Sequence, residues 1–162
     1  LTLSGLSTRR FAFEAFLPPD KKERKAILEE LKNETRTIIL YEAPHHLVGT
    51  LQELYQTLGN RRMTLCRELT KKHETAFRTT IEDLIVFYKD QKPLGECVLV
   101  IEGRSRKEME QESQESWRDI SIEEHMAIYE NQGIARKEAM KMVAKDRGVT
   151  KRDIYQALLL QK

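Results

Sequence analysis

Over the first hundred residues the apolar positions switch repeatedly between two periods. In "RRFAFEAF", Phe11, Phe13 and Ala15 alternate with Ala12, Glu14 and Phe16, a period of two that predicts a strand. Pro18-Pro19 ends it, and Asp20 with Glu23 has the form of a helix cap ahead of Ile27, Leu28 and Leu31. "RTIILYE" is β-branched and apolar and predicts a buried strand. Leu47, Leu51, Leu54 and Leu58 recur at helical spacing; Pro44 suits the first turn of that helix and Gly59 its end. "RMTLCREL" predicts a strand, "TIEDLIVFYKD" a helix with Ile81, Leu84, Ile85 and Tyr88 on one face, and "GECVLVIEG" a strand between glycines. Strands that alternate with helices over 9–103 predict an α/β domain: a mixed sheet flanked by helices.

The pattern then stops. "RSRKEMEQESQESWRD" (104–119) carries charge without apolar periodicity and reads as a solvated linker in which Trp117 is the residue that docks. Beyond it, 120–162 predicts three short helices in a helix-turn-helix-like tail. Ser121 and Glu124 fit a capping box before "HMAIY", Ala139, Met140 and Val143 give the second helix an apolar face, and Thr150 caps the third, with Ile154, Ala157 and Leu158 inward. Gly133 and Gly148 end the first two.

Charge sharpens this division. The 162 residues carry a net charge of +2, but 104–131 hold 4 basic and 8 acidic side chains and 132–162 hold 8 basic and 3 acidic. Lys137, Lys141 and Lys145 recur every fourth residue, away from Ala139 and Val143, and Lys151 and Arg152 open the third helix. One basic end on a near-neutral body points to an anionic partner such as nucleic acid, and equally describes a solvated charged face. No apolar run reaches the length of a membrane span. Cys66 and Cys97 lack metal spacing and read as buried, reduced thiols of a cytoplasmic protein. The chain opens on "LTLSGL" without an initiator methionine, which suggests a piece of a longer protein.

There is no phosphate-cradling glycine loop, GxSxG, HExxH or paired CxxC. Polar groups cluster instead at strand ends, where open α/β sheets bind ligands. "YEAPHH" follows one strand and "CRELTKKHE" ends another, so Glu42, Arg67, Glu68 and Lys71 share a crevice if those strands are neighbours. An Arg–Glu ion pair that fixes loops accounts for the same residues. His45 and His46 are adjacent and diverge on a helix, and His73 has no second ligand, so no metal site is expected.

In series, "SGLSTRRFAFEAFLP", "RTIILYEAPHHL", "RRMTLCRELTKKHE", "GECVLVIEG" and "GIARKEAMKMVAKDRGVTKRDIY" resemble the bacterial 16S rRNA cytidine-2′-O-methyltransferases of the tetrapyrrole methylase superfamily. The resemblance covers essentially the whole chain. It departs at Ser7, Arg9, Ala43 and His46, where the family pattern has proline, aspartate, serine and arginine. It implies two α/β domains with S-adenosylmethionine between them, this chain being the C-terminal one and inactive alone. It implies a cofactor bordered by Leu40, Tyr41 and Glu42, by Arg67, Glu68 and Leu69, and by Cys97, Val98 and Leu99. Glu42 and Glu68 are then candidates for orienting or deprotonating a ribose hydroxyl, a poor acid that needs help to attack the methyl group. Arg67 and Lys71 are candidates for holding phosphate, with the Lys137, Lys141, Lys145, Lys151 and Arg152 row on structured RNA. The implied partners are 16S rRNA in the 30S subunit and a second copy of the chain. Two other readings stay open: a DNA-binding regulator with an α/β sensor domain, and another branch of the same superfamily.

Overall fold

The computed structural model describes residues 1–160 and divides them into two compact units, Leu1–Arg104 and Ser105 onward. The closing residues 161–162 of the expected 120–162 tail lie outside the described residues.

The first unit is built on one five-stranded sheet. Its strands are β1 (Phe11–Phe16), β2 (Thr37–Glu42), β3 (Arg62–Arg67), β4 (Thr75–Thr80) and β5 (Cys97–Ile101), in the order β1-β2-β5-β3-β4. β1 runs parallel to β2, and every other neighbouring pair is antiparallel. The expected mixed sheet flanked by helices is therefore present. One face buries Ile38, Leu40, Met63, Leu65, Leu99 and Ile101 against α1 (Lys21–Lys32), α2 (Leu47–Leu58) and α3 (Ile81–Phe87). α1 starts at Asp20, whose side chain accepts from the amides of Lys22 and Glu23, and α2 ends at Gly59, which takes a positive φ of 80°. α2 begins three residues after Pro44, which stands in the preceding turn and not in the first helical turn.

The opposite face is not covered by α1, α2 or α3. The first residues of the chain cover part of it: Thr64 Oγ1 donates to the Ser4 carbonyl at 3.0 Å and Thr37 Oγ1 to that of Ser7 at 2.7 Å. Toward β1 the face is bare and aromatic. The alternation predicted for β1 is broken by a bulge between Phe13 and Ala15, where Ala15 takes φ 52°. The extra residue turns Phe16 to the same side as Phe13, and both ring edges meet Tyr41, with centroids 5.2 and 5.6 Å apart.

Two elements differ from the sequence reading. β4 has no counterpart in the sequence reading: "TAFRTT" is polar and none of its residues is buried, because it is an edge strand, which needs no continuous apolar run. The expected linker contains α4 (Arg106–Ser116), capped by Ser105. It buries no residue, so the missing apolar stripe was read correctly; it is rich in Glu, Gln, Arg and Lys, which favour helix without one.

In the second unit, α5 (Ile122–Glu130), α6 (Arg136–Asp146) and α7 (Lys151–Leu160) surround Met126, Ala139, Val143, Ala144 and Ile154. Ser121 and Glu124 form the predicted capping box. Trp117 docks as expected, stacked on His125 at 3.9 Å. His125 is fully buried, with Nδ1 accepting from Arg147 Nε at 3.1 Å and Nε2 facing Asp146 at 3.3 Å. Asp146 also accepts from the Tyr129 hydroxyl, which is pushed up to about 12 by that bond.

Candidate functional site

β5 lies between β2 and β3 and antiparallel to both, so its first residue meets the last residues of its neighbours. Glu42 pairs with Cys97, and Cys97 with Arg67, in one row across the sheet end. Tyr41, Val98 and Cys66 form the next row, and Leu40, Leu99 and Leu65 the one after. Side chains alternate between faces along a strand. Leu40 and Leu99 thus point into the helix-covered core and offer only backbone to anything outside it, whereas Tyr41 points to the bare face.

A cleft of about 410 Å³ opens at this edge, lined by Phe16, Tyr41, Ala43, Pro44 and Val98 with Glu42, Glu96 and Cys97. Two loops form its rim. In the first, Glu42 is buried; one carboxylate oxygen accepts from the Ala43 amide at 2.8 Å and the other from the Thr50 hydroxyl. Arg24 donates to the same Thr50 at 2.8 Å and pairs with Glu53. Glu42 therefore ties the turn after β2 to α2. In the second, Glu68 Oε1 accepts from the Glu96 amide at 2.9 Å, and Lys71 Nζ lies 3.0 Å from Glu96 and 3.5 Å from Glu68. The Glu96 amide, first, and Lys71 hold the Glu68 carboxyl below its ordinary range. Leu69 is half-buried within this turn.

Arg67 donates to the Tyr88 hydroxyl at 3.1 Å, while its buried Nε has no hydrogen-bond partner. Beside it, burial pushes the Cys97 thiol up to about 11, against the opposing pull of Arg67. That is a protonated, unreactive thiol at neutral pH, as the sequence suggested. Among the described residues no group of three or more His, Cys, Asp or Glu is arranged to hold a metal, and no helix is long and apolar enough to cross a membrane.

The sheet thus brings Glu42, Arg67, Glu68 and Lys71 to one edge with Cys97 and Val98. Both candidate carboxylates are already engaged in hydrogen bonds there. Lys137, Lys141, Lys145, Lys151 and Arg152 belong to the second unit. Lys137, Lys141 and Lys145 are exposed along α6, with Lys141 bonded to Glu138 at 2.8 Å. That bond and the charge of Lys141, followed by the charges of Lys151 and Lys137, lower the Glu138 carboxyl. Sequence reasoning missed Glu96, Gly95 and Phe16. The first two stand in a quoted motif, "GECVLVIEG", but a glycine's role there depends on what packs on it. Phe16 was assigned to the other face for want of a signal for the bulge.

A sequence model of the tetrapyrrole (corrin/porphyrin) methylases matches residues 2–85, more than half of the chain. Curated relatives from several bacteria carry the name ribosomal RNA small subunit methyltransferase I. That of Halalkalibacterium halodurans is 43% identical over 96% of this chain and 53% of its own length. That of Bacillus subtilis is 42% identical over 97% and 53%, and that of Synechocystis 40% over 98% and 56%. The chain spans about half the length of the curated relatives it matches. Matched over most of the sheet that carries the cleft, the chain belongs to the tetrapyrrole (corrin/porphyrin) methylase family.

Proposed function

We propose that this chain forms the C-terminal half of an S-adenosylmethionine-dependent methyltransferase acting on small-subunit ribosomal RNA, at the ribose 2′-hydroxyl of a cytidine. The observation that carries this reading is the registered row Glu42–Cys97–Arg67 beneath a cleft of about 410 Å³, a size that suits a cofactor. The lining fits a cation with an aromatic ring system: Phe16, Tyr41, Pro44 and Val98 supply apolar walls, and Glu42 and Glu96 stand at the rim. The unpartnered Arg67 Nε suits an anionic group. When bound, S-adenosylmethionine supplies a methyl group already activated on its sulfonium.

The residues of this chain bind and orient. The backbone of Leu40–Glu42, Arg67–Leu69 and Cys97–Leu99 borders the cofactor, and Arg67 and Lys71 hold phosphate. Of the two roles offered by Glu42 and Glu68, their hydrogen bonds support orienting over proton removal. The lysine row of α6 with Lys151 and Arg152 grips the RNA backbone. The enzyme works in the cytoplasm as a homodimer. The isolated chain binds S-adenosylmethionine weakly and does not methylate. The relatives' names and the cleft support this reading.

The test is methyl transfer to 30S subunits by the longer protein that contains this chain, with the product nucleoside identified by mass spectrometry. A methyl group on a cytidine ribose is expected. A methyl group on a base, or methylation by the 162-residue chain alone, overturns the corresponding part.

A further inference from the structure

The turn after β3 is held in an unfavourable backbone. Glu68 has φ 50° and Thr70 φ 64°, two of the three non-glycine residues in the left-handed region among those described. Such conformations cost free energy and persist only where surrounding contacts hold them. Thr70 is held within the turn, its amide donating to Glu74 Oε2 at 2.7 Å, whereas the contacts of Glu68 run to the residues opening β5. The Glu68 amide donates to the Glu96 carbonyl at 3.2 Å, the Glu96 amide donates back to Glu68 Oε1 at 2.9 Å, and Lys71 bridges both carboxylates. Gly95, at φ 78°, completes the fit: a Cβ there would stand 2.4 Å from Glu68 Oε1, so only glycine lets the carboxylate lie on this backbone. Two residues on, Cys97 is buried, and its Sγ contacts the Gly95 carbonyl at 3.6 Å.

We propose that Glu68 is a positioning residue whose carboxylate clasps Gly95–Glu96 and thereby sets the Glu96–Val98 wall of the strand-end cleft. The side chain that the RELT stretch places beside Arg67 acts on the cleft through the backbone of β5 and accepts no substrate proton. The inference rests on the reading of that cleft as the cofactor wall, but its geometry is internal to the first unit and is testable on this chain without any cofactor.

Two measurements on the 162-residue chain decide it. The first is the amide proton shift of Glu96 against pH. In the native chain it follows the Glu68 carboxyl, with a midpoint below the ordinary glutamate value. In Glu68→Gln the amide keeps its downfield shift, since the side-chain oxygen still accepts, but no longer titrates; in Glu68→Ala the downfield shift is lost. The second is alkylation of the two thiols, resolved by mass spectrometry, with Cys66 on the neighbouring strand as the internal control for global opening. Glu68→Ala and Gly95→Ala raise the Cys97 rate about tenfold while Cys66 stays protected, a factor equivalent to about 1.4 kcal/mol of local stability. Glu68→Gln leaves Cys97 within about threefold of the native rate. A Glu96 amide that does not titrate, a Cys97 rate in Glu68→Ala equal to the native one, equal exposure of both thiols, or failure of Gln to restore protection overturns the clasp. Absence of methyl transfer to 30S subunits would defeat the proposed function and leave these results standing. Failure of the clasp measurements, with methyl transfer to 30S subunits observed, would overturn the clasp and leave the proposed function standing.

Discussion

The two units bury polar groups in opposite ways. In the α/β unit, Glu42 enters the interior accompanied by donors, the Ala43 amide and the Thr50 hydroxyl, with Arg24 behind them. In the helical unit, His125 is enclosed with Arg147 donating to one ring nitrogen and Trp117 over one face, while the other nitrogen faces Asp146 at 3.3 Å without a hydrogen bond. The first arrangement gives each carboxylate oxygen a donor. The second requires Nδ1 to accept, which a protonated imidazole cannot do, and leaves Nε2 without a hydrogen bond. The α/β unit also draws on one extensive core, and the helical unit on a smaller one around Met126, Ala139, Val143, Ala144 and Ile154. The two should therefore fail under different conditions.

Trp117 makes that separable, because it is the only tryptophan and lies in the helical unit. The largest effect expected is from Leu99→Ala, at a fully buried position on the central strand. Truncation there should cost the α/β unit about 2–5 kcal/mol. Urea unfolding followed by hydrogen exchange should show the strands opening early while Trp117 fluorescence keeps its midpoint; a matching shift in both signals would mean that the units unfold as one.

Acid should do the reverse. Burial first, then the charge of Arg147, depresses His125, with Asp146 opposing. A base depressed in the folded state contributes stability that is present above its unfolded value of about 6.5 and is lost as pH falls through the lower folded value. The Trp117 urea midpoint should fall below about pH 6.5, and His125→Phe should flatten that dependence. A midpoint that is flat in the native chain, or equally steep in the variant, removes His125 as the cause.

The lysine row tests the comparison on function. With about three phosphate contacts, the log–log salt slope for a decoding-region RNA should be about 2 to 3. Replacing Lys137, Lys141 and Lys145 by glutamine should flatten it without moving the Trp117 midpoint, because all three are exposed. An unchanged slope would make the row a solvated face. The smallest effect is expected at Ala15, held at φ 52° by the bulge in β1. Ala15→Gly relieves that backbone and should stabilise the α/β unit by about 0.5–1 kcal/mol in urea melts; a loss of stability would show that Ala15 contributes packing that outweighs its strain.

Much of this was legible because apolar periodicity reports burial. Ile38, Leu40, Leu51 and Leu99 were placed correctly since each lies in a run whose period matches its element. Where burial gives no signal, the reading stopped: β4 is an exposed edge, and α4 buries nothing. The bulge at Ala15 leaves the composition of β1 unchanged while altering its phase, and so was invisible. At the site, strand ends named Glu42, Arg67 and Glu68. That β5 threads between β2 and β3 could not be read from spacing, and it is this placement that brings Gly95 and Glu96 against Glu68.

That threading also orders events during synthesis. β5 is the last strand to leave the ribosome, yet it is the middle one of the sheet. Until residues 97–101 emerge, β1–β2 and β3–β4 are two ribbons whose inner edges have no partner, with Ile38, Leu40, Met63 and Leu65 waiting for the same five residues. Such edges template aggregation, and non-local pairing is slow to close. The nascent chain must therefore pass through a vulnerable interval that ends in a single step, when one short strand closes both halves of the sheet.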